Sequence, residues 1–387
     1  MSMNNRLPYR HFFAPGFSRG RMPANRPWRQ KGLSLLEVLV AMGLGLILIA
    51  GATNLFIGSS QTFRTNESLS RMQEEARFAL NRMQRDVRSA GFQGCAPAVE
   101  NRVATAGNEL QNLLFTELPL LGWEHAGTGP GQTSTIDDYE VGDADNWTSS
   151  AGLALPDELA GAVVNGTDVL VVAKVERSAA SYTSEVEAGD PAAQPVNPGH
   201  NIGQGGVALV TDGNCTSGNL ARNTNNSENA LTFSSSGNTA NGLSFPTNPA
   251  SEIFHYQIRA YYVGLSDDQP ALFSQRLDGA DGTAAIELVR GVESMQVLYG
   301  EAGSNNAVVA EAYRPADEVT DWQNVVSARV ALLMRSEAPA SAELNTRVFN
   351  LLGTEINPSG GTPADPDGDR FMRLQAAQTL GLRNRLR

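Results

Sequence analysis

An uncharged apolar stretch near the N-terminus is the feature that most constrains this chain. No charged residue occurs from position 38 to position 63, and most of the stretch is Leu, Ile, Val, Ala and Gly. A helix of about 20 apolar residues is long enough to cross a bilayer. A cleavable secretory signal has a shorter apolar core of about 7–15 residues, and a small-residue cleavage site is conceivable at residues 50–52. The stretch continues beyond that point without a turn-forming break, which favours a membrane-spanning helix.

The charges on either side of this stretch indicate its orientation. Residues 1–32 contain six Arg, one Lys and no acidic residue, a local charge of +7. Because the whole chain carries −12, the remaining residues carry about −19. Basic flanks stay in the cytoplasm, so we predict an inner-membrane protein with a cytoplasmic N-terminus and a periplasmic body. An acidic body is a poor match for phosphate backbones, which argues against a nucleic-acid partner.

Glu37 is a lone carboxylate at the start of the apolar stretch. An unpaired carboxylate in a membrane span costs free energy, so such a residue is a functional candidate with an expected partner. Alternatively, Glu37 lies at headgroup depth in the first helical turn, where the helix dipole favours an anion. The residues alone leave both interpretations open.

The residues around Glu37 form a known pattern. Gly32 precedes an apolar residue, Leu33, and Glu37 is the fifth residue counted from Leu33. This arrangement, followed by a long apolar helix, resembles the class III signal of type IV prepilins and pseudopilins. The resemblance implies cleavage after Gly32 by a prepilin peptidase and N-methylation of Leu33. It also implies that Glu37 pairs with the N-terminal amine of a neighbouring subunit, which supplies the missing counter-charge.

The helical pattern continues beyond the apolar stretch. Apolar residues recur at steps of three and four along one face: Leu69, Met72, Ala76, Leu80, Met83 and Val87. No proline or internal glycine interrupts residues 59–90, and Gly91 is a plausible stop. The sequence therefore predicts a leader at residues 1–32 and one long helix at 33–91. Its transmembrane part is predicted at 33–58 and its amphipathic part at 59–91.

The end of this helix carries a more specific resemblance. Residues 86–95 read D-V-R-S-A-G-F-Q-G-C, and this ending is similar to that of the PilW family of minor pilins. Residues 288–300, 325–336 and 382–385 resemble the same family. The resemblance implies a minor pilin that primes or supports type IV pilus assembly. Its implied partners are other minor pilins, the major pilin and a tip adhesin.

Beyond residue 91 the apolar pattern becomes strand-like. Short runs rich in β-branched and aromatic residues alternate with turn-rich tracts, for example at residues 191–206 and 214–248. This alternation predicts an antiparallel β-rich globular domain with long loops at residues 92–387. Together with the membrane-spanning helix packed on it, the domain predicts a pilin-like α+β fold.

The chain contains two cysteines, Cys95 and Cys215, and both follow the apolar stretch. In an oxidising compartment we expect them to form a disulfide. Closing a loop of this size, about 120 residues, is worth about 4–5 kcal/mol in the chain-entropy model. Two free buried thiols are the alternative.

Patterns that carry catalysis do not occur in the sequence. It has no H-E-x-x-H, G-x-S-x-G or P-loop motif, so we predict no enzymatic activity and no cofactor. Asp365, Asp367 and Asp369 resemble the start of a calcium loop. They lack the spacing and the terminal Glu of an EF-hand, and a solvated turn is the alternative.

Two other functions fit the same N-terminal features. A pseudopilin of type II secretion shares the signal and the helix. A periplasmic binding protein or enzyme held by a signal anchor shares the apolar stretch, but it would not be cleaved after Gly32.

Overall fold

The structure, a computed structural model, describes residues 32, 34–105, 107–136, 139–279, 284–304, 307–341, 343–358 and 369–384. Internal contacts divide the chain into two units, which meet between Ile57 and Gly58. The first unit contains the apolar part of the N-terminal helix. The second contains the rest of that helix and all the strands.

The long helix, α1, extends from Leu35 to Ser89. Ser34 caps its start, because the Ser34 hydroxyl accepts a hydrogen bond from the backbone N–H of Glu37 at 3.3 Å. A Ser followed three residues later by Glu is the sequence of a capping box. After its last turn the chain reaches Gly91 with a φ of +71°, the left-handed conformation that commonly ends helices.

In the first unit, residues 35–57 of α1 present their apolar side chains outward. Ile47 and Phe56 are 69% and 74% exposed, and the most apolar 18-residue window has a mean hydropathy of 2.4 with none of its residues buried. These properties of length, composition and exposure are those of a membrane-spanning helix, and also those of a signal sequence.

The second unit is built mainly from strands. A short helix, α2 (Glu109–Thr116), and two 3-10 turns (Ala144–Asn146 and Trp322–Asn324) accompany them. The strands are β1 (Val99–Asn101), β2 (Leu120–His125), β3 (Thr133–Thr135), β4 (Trp147–Thr148), β5 (Val169–Arg177), β6 (Gln194–Pro195), β7 (Val207–Thr211), β8 (Gly218–Arg222), β9 (Ala230–Leu231), β10 (Ile253–Ser266), β11 (Gln269–Arg276), β12 (Ile286–Arg290), β13 (Val292–Glu301), β14 (Ala312–Arg314), β15 (Val325–Arg335), β16 (Phe349–Leu351), β17 (Thr354–Asn357) and β18 (Arg373–Gly381).

Most of these strands belong to two sheets. The larger sheet has the order β1-β8-β7-β10-β5-β2-β4, with β11 beside β10 and β12 beside β11. The second has the order β14-β13-β15-β18, and two small sheets contain β16-β17-β3 and β6-β9. Pairing is antiparallel, as predicted, except in the short β1–β8 and β17–β3 ladders, which are parallel.

A single residue, Gly291, connects the two large sheets between β12 and β13. Its φ is +72°, and a Cβ at this position would lie 2.4 Å from the carbonyl oxygen of Arg335. Both observations require glycine, because other residues rarely adopt this conformation and none would fit the space. The turn at Gly291 lets consecutive strands enter different sheets.

One face of α1 lies in the main core. Members of the apolar stripe predicted from the sequence are buried there: Met72, Ala76, Leu80, Met83 and Val87. They join side chains from both large sheets, including Ile258 and Val330, in one continuous cluster. The fold is therefore α+β, with the outer part of a long helix packed on antiparallel sheets.

Candidate functional site

The N-terminal segment that carries the signal pattern is exposed. Gly32, Ser34 and Glu37 all have accessible side-chain positions, and Leu33 lies outside the described residues. The helix cap uses the backbone N–H of Glu37 and leaves its carboxylate exposed. This carboxylate can therefore accept a partner, or it can complete the capping box, so its predicted role in assembly stays a prediction.

A buried charge cluster fixes the other end of α1 to the large sheet. Asp86 lies on the buried face of the helix and is 4% exposed. From β5, Lys174 Nζ lies 3.4 Å from Asp86 Oδ1. From β10, Arg259 Nε lies 3.7 Å from Asp86 Oδ2, and the Tyr261 hydroxyl donates to the same oxygen. Lys174 also contacts Glu176, at the edge of the cluster.

This cluster balances its charges inside the protein. Two cations, Lys174 and Arg259, face two carboxylates, Asp86 and Glu176. Burial, together with the neighbouring Asp86 carboxylate, raises the pKa of Tyr261, so its hydroxyl remains a donor. A buried ion pair loses much of its solvation, and removing one member leaves the other uncompensated. The cluster therefore selects one position of α1 on the sheet.

The residues that follow α1 pack against the same sheet. The Phe92 ring meets the Phe254 ring edge-to-face, with centroids 5.3 Å apart. Gly94 has a φ of +70°, and a Cβ there would lie 2.8 Å from the Thr211 methyl group. Directly after it, Cys95 forms a disulfide with Cys215, with their Cα atoms 5.3 Å apart. The segment 91–95 is thus fixed by an aromatic contact, a close backbone approach and a covalent bond.

The end of the chain also reaches this point. A Cβ on Gly91 would lie 2.2 Å from the carbonyl oxygen of Asn384, so the C-terminal segment passes directly over the end of α1. Residues 88–95 and 382–385 are both segments whose sequence resembles the PilW family. The structure brings them together, with residues 385–387 outside the described part of the chain.

A second charge cluster lies between β13, β15 and β18. The Arg373 guanidinium donates to both carboxylate oxygens of Glu293, at 2.6 and 2.9 Å, and to both oxygens of Asp369, at 2.7 and 2.6 Å. Arg335 and Tyr139 complete the cluster: the Tyr139 hydroxyl donates to Glu293 and accepts from Arg335. Glu293 and Arg373 are almost fully buried.

This cluster bears on the predicted calcium site. Both oxygens of Asp369 are already bound to Arg373, which leaves this carboxylate a poor ligand for a cation. Asp365 and Asp367 lie outside the described residues, so the calcium prediction gains no support and stays untested. Within the described part of the chain, no three His, Cys, Asp or Glu side chains lie close enough together to hold a metal ion.

A pair of buried carboxyl groups lies where the two large sheets meet. Glu124 and Asp168 are 4% and 1% exposed, and Thr128 donates to Glu124 at 3.1 Å. Burial raises the pKa of Asp168 to about 7, while the backbone N–H groups of Val297 and His125 donate to this carboxylate, at 2.7 and 3.3 Å, and oppose the rise. Burial raises the pKa of Glu124 strongly, and the neighbouring Asp168 raises it further. The pair therefore retains a proton at neutral pH, and this proton lies on Glu124.

These charged residues were not identified from the sequence. Lys174 offered one signal, because it is one of only two lysines and interrupts an otherwise apolar strand. Asp86 was part of the segment that carried the family resemblance, but nothing local indicated that it is buried.

Two family models match the chain. The prokaryotic N-terminal methylation motif matches residues 29–53, and type IV pilus-assembly protein W, PilW, matches residues 260–384. The resemblance to PilW and to the class III prepilin signal is thereby confirmed. The segment at residues 86–95 lies outside both matches, so its resemblance stays a prediction. No characterised protein and no solved structure matches the chain in the same comparisons.

The charge cluster at Asp86 leads to a first prediction. We expect Asp86→Asn to lower the free energy of unfolding by about 3–5 kcal/mol, because Lys174 and Arg259 then lose their buried counter-charge. Denaturant titration of the detergent-solubilised chain measures this change. Asp157→Asn, at an exposed position, is the matched control. Equal stability of the two variants would show that the cluster does not hold the helix.

The Glu124–Asp168 pair leads to a prediction about pH. A carboxyl whose pKa is raised in the folded state stabilises the protein most at low pH. Its contribution falls by about 1.4 kcal/mol per pH unit as the pH rises from its unfolded pKa towards its folded one. We therefore expect the contribution of Glu124 to decrease from about pH 5 towards its folded pKa of about 10, so that the stability of wild type falls relative to that of Glu124→Gln across this range. Denaturant midpoints across this range test it, with exposed Glu117→Gln as the control. An unchanged slope in Glu124→Gln would contradict the assignment of the proton.

Proposed function

From the premise that the chain is a type IV pilus-related protein with a prepilin methylation motif, we propose that it is a minor pilin that primes or supports pilus assembly. The observation that carries this proposal is the occurrence of both matches in one chain: the methylation motif at residues 29–53 and the pilus-assembly model at residues 260–384. The methylation motif alone also fits pseudopilins, whereas the second match is to a pilus-assembly family.

The proposed processing and assembly of the subunit begin at the inner membrane. The basic segment remains in the cytoplasm, residues 33–58 span the bilayer, and the β-rich body folds in the periplasm. Prepilin peptidase cleaves after Gly32, and Leu33 becomes the methylated N-terminus. The subunit then leaves the bilayer and joins a filament with other minor pilins, the major pilin and a tip adhesin.

The described contacts support a mechanical role in which helix and body move together. Asp86, the disulfide of Cys95 and the close approach at Gly91 fix the outer part of α1 to the sheets at three places. A force on the helix is therefore transmitted to the body. A body of this size suits the tip of a filament better than a repeated position along its shaft. This role requires no catalysis and no cofactor.

Processing at the N-terminus distinguishes the proposal from a signal-anchored enzyme or binding protein. We expect the mature protein to begin with N-methylated Leu33, because the peptidase recognises the residues around Gly32. Mass spectrometry of the purified N-terminal peptide measures this directly. An uncut chain, or cleavage near Ala52, would rule out a filament subunit.

The role of Glu37 is tested by comparing two substitutions. If Glu37 pairs with a neighbouring subunit, we expect Glu37→Ala to reduce surface pili strongly while the protein still inserts into the membrane. Ser34→Ala removes the helix cap at the same place and leaves the carboxylate intact, so it should assemble nearly normally. Counting pili by electron microscopy compares both with a deletion strain. Equal defects in the two variants would assign Glu37 to helix capping.

The deletion strain also separates pilus assembly from secretion. We expect it to lose surface pili and twitching while type II secretion continues. Normal piliation with lost secretion would instead support a pseudopilin.

A further inference from the structure

We propose that the outer edge of β18, which has no neighbouring strand in the described part of the chain, is a docking surface for an edge strand of a different pilin-type subunit, which pairs with it in the antiparallel direction. The inference rests on the proposed function, because it assumes that the outer helices of assembled pilin-type subunits run in the same direction. It goes beyond that function by assigning the contact to a particular strand.

The first observation is that β18 lacks the features that protect edge strands. It pairs with β15 over nine consecutive residues without a register shift, from Arg373 to Gly381. After Arg373, whose charge is taken up by Glu293 and Asp369, the strand contains no charged residue and no proline. An edge of this length without such features is a template for another strand.

Among the described residues, the other sheet edges are protected. The strands β1, β3, β4, β6, β9, β14 and β16 have three residues or fewer. Beyond β14, the edge of β13 is occupied by Asp168, which donates its N–H to the Met295 carbonyl and accepts from the Val297 N–H. The edge strand β12 has five residues, carries Glu287 and Arg290, and its ladder with β11 contains an irregularity between Leu272 and Phe273. Short length, charge and bulges are the usual means by which proteins prevent strand addition. They occur at these edges and are absent from β18.

The hydrogen-bond register identifies the groups that face outward. Leu382 donates its N–H to Val326, and Ser336 donates its N–H to Met372, so even-numbered residues of this segment bond to the β15 side. In an antiparallel pair the alternate residues direct their N–H and C=O away from the partner. Gln375, Ala377 and Thr379 therefore present their backbone groups at the free edge.

The side chains indicate the kind of strand that fits. Leu380 is buried in the main core, and Leu374 and Ala376 pack against that core while remaining partly exposed. The polar Gln378 shares that face and is half-buried. The opposite face carries Gln375, Ala377 and Thr379, which are exposed, and Gln375 donates to the carbonyl of Asn350 on β16 at 2.6 Å. An added strand would continue both faces. It therefore needs apolar residues on the core side and polar residues on the other side, in strict alternation.

The direction of β18 determines the orientation of the partner. Just before β18, the Met372 carbonyl is bound by Ser336, and the segment after Ser336 contacts the first part of the outer helix through Arg71 and Glu337. At its other end, the chain passes over Gly91. The strand thus runs in the same direction as the outer part of α1, which belongs to the same unit. Subunits whose outer helices run in the same direction therefore present β18 in the same direction.

This direction argues against pairing between two copies of β18. Antiparallel pairing of identical strands would require one copy to be inverted, which two copies whose outer helices run in the same direction cannot achieve. A second copy in the same orientation would continue the sheet with β14, but β14 has only three residues, Ala312–Arg314. A longer edge strand that runs opposite to the outer part of α1, on a different pilin-type subunit, fits β18.

Photo-cross-linking in piliated cells tests the contact. We expect p-benzoylphenylalanine in place of Thr379 to form an adduct with another subunit that carries a class III signal. Peptide mapping should locate the adduct in a strand with alternating apolar residues. Ala377→Pro removes an outward N–H without removing a bond to β15 and should lower the adduct yield about tenfold. Ala377→Lys places a charge at the edge and should also lower the adduct yield. It serves as the test if the proline variant does not fold. Ala377→Ser, which keeps the N–H, is the matched control.

Other results would overturn the inference. The absence of an adduct would reject it, as would an adduct with a second copy of this chain or with a protein that is not a pilin. An adduct yield that Ala377→Lys leaves unchanged would also reject it. A deletion strain that lacks pili, combined with an Ala377→Lys strain that assembles them normally, would reject the edge contact and leave the proposed function intact. A deletion strain with normal pili would reject the proposed function itself.

Discussion

The ion pair between Asp86 and Lys174 is the interaction on which the rest of this structure depends. A helix of 55 residues presents an outer half that is stable only when its apolar face is covered. Apolar contacts alone allow a helix to slide by a turn with little loss, whereas a buried carboxylate has one position where its counter-charges lie. Met72, Met83 and Val87 therefore supply the burial, and Asp86 supplies the register.

The same residue type has opposite surroundings at the two ends of α1. Glu37 is exposed and begins the helix, while Asp86 is buried near its end with its partners supplied by its own chain. A carboxylate whose partners are internal stabilises the fold. The exposed carboxylate of Glu37 has no such internal partners among the described residues. The buried charge contacts that involve α1 are therefore concentrated near the end of the helix.

Much of the architecture could be predicted from the sequence, because it depends on local patterns. The spacing of Leu69 to Val87 predicted the buried helical face, and Gly91 marked the end of the helix. The charge clusters could not be predicted, since Lys174 and Arg373 acquire their partners from residues far away in the chain. The position of Gly291 between two sheets was hidden for the same reason: its conformation matters only once Arg335 lies beside it.

The passage of Asn384 over Gly91 has a consequence for the order of folding. A chain is synthesised from its N-terminus, so β18 and the segment around Asn384 are the last described parts to be made. Until they are present, β15 has β13 on one side but not β18 on the other, and the end of α1 lacks this cover. The contacts that close over the end of the helix therefore form late, although the helix itself is made first.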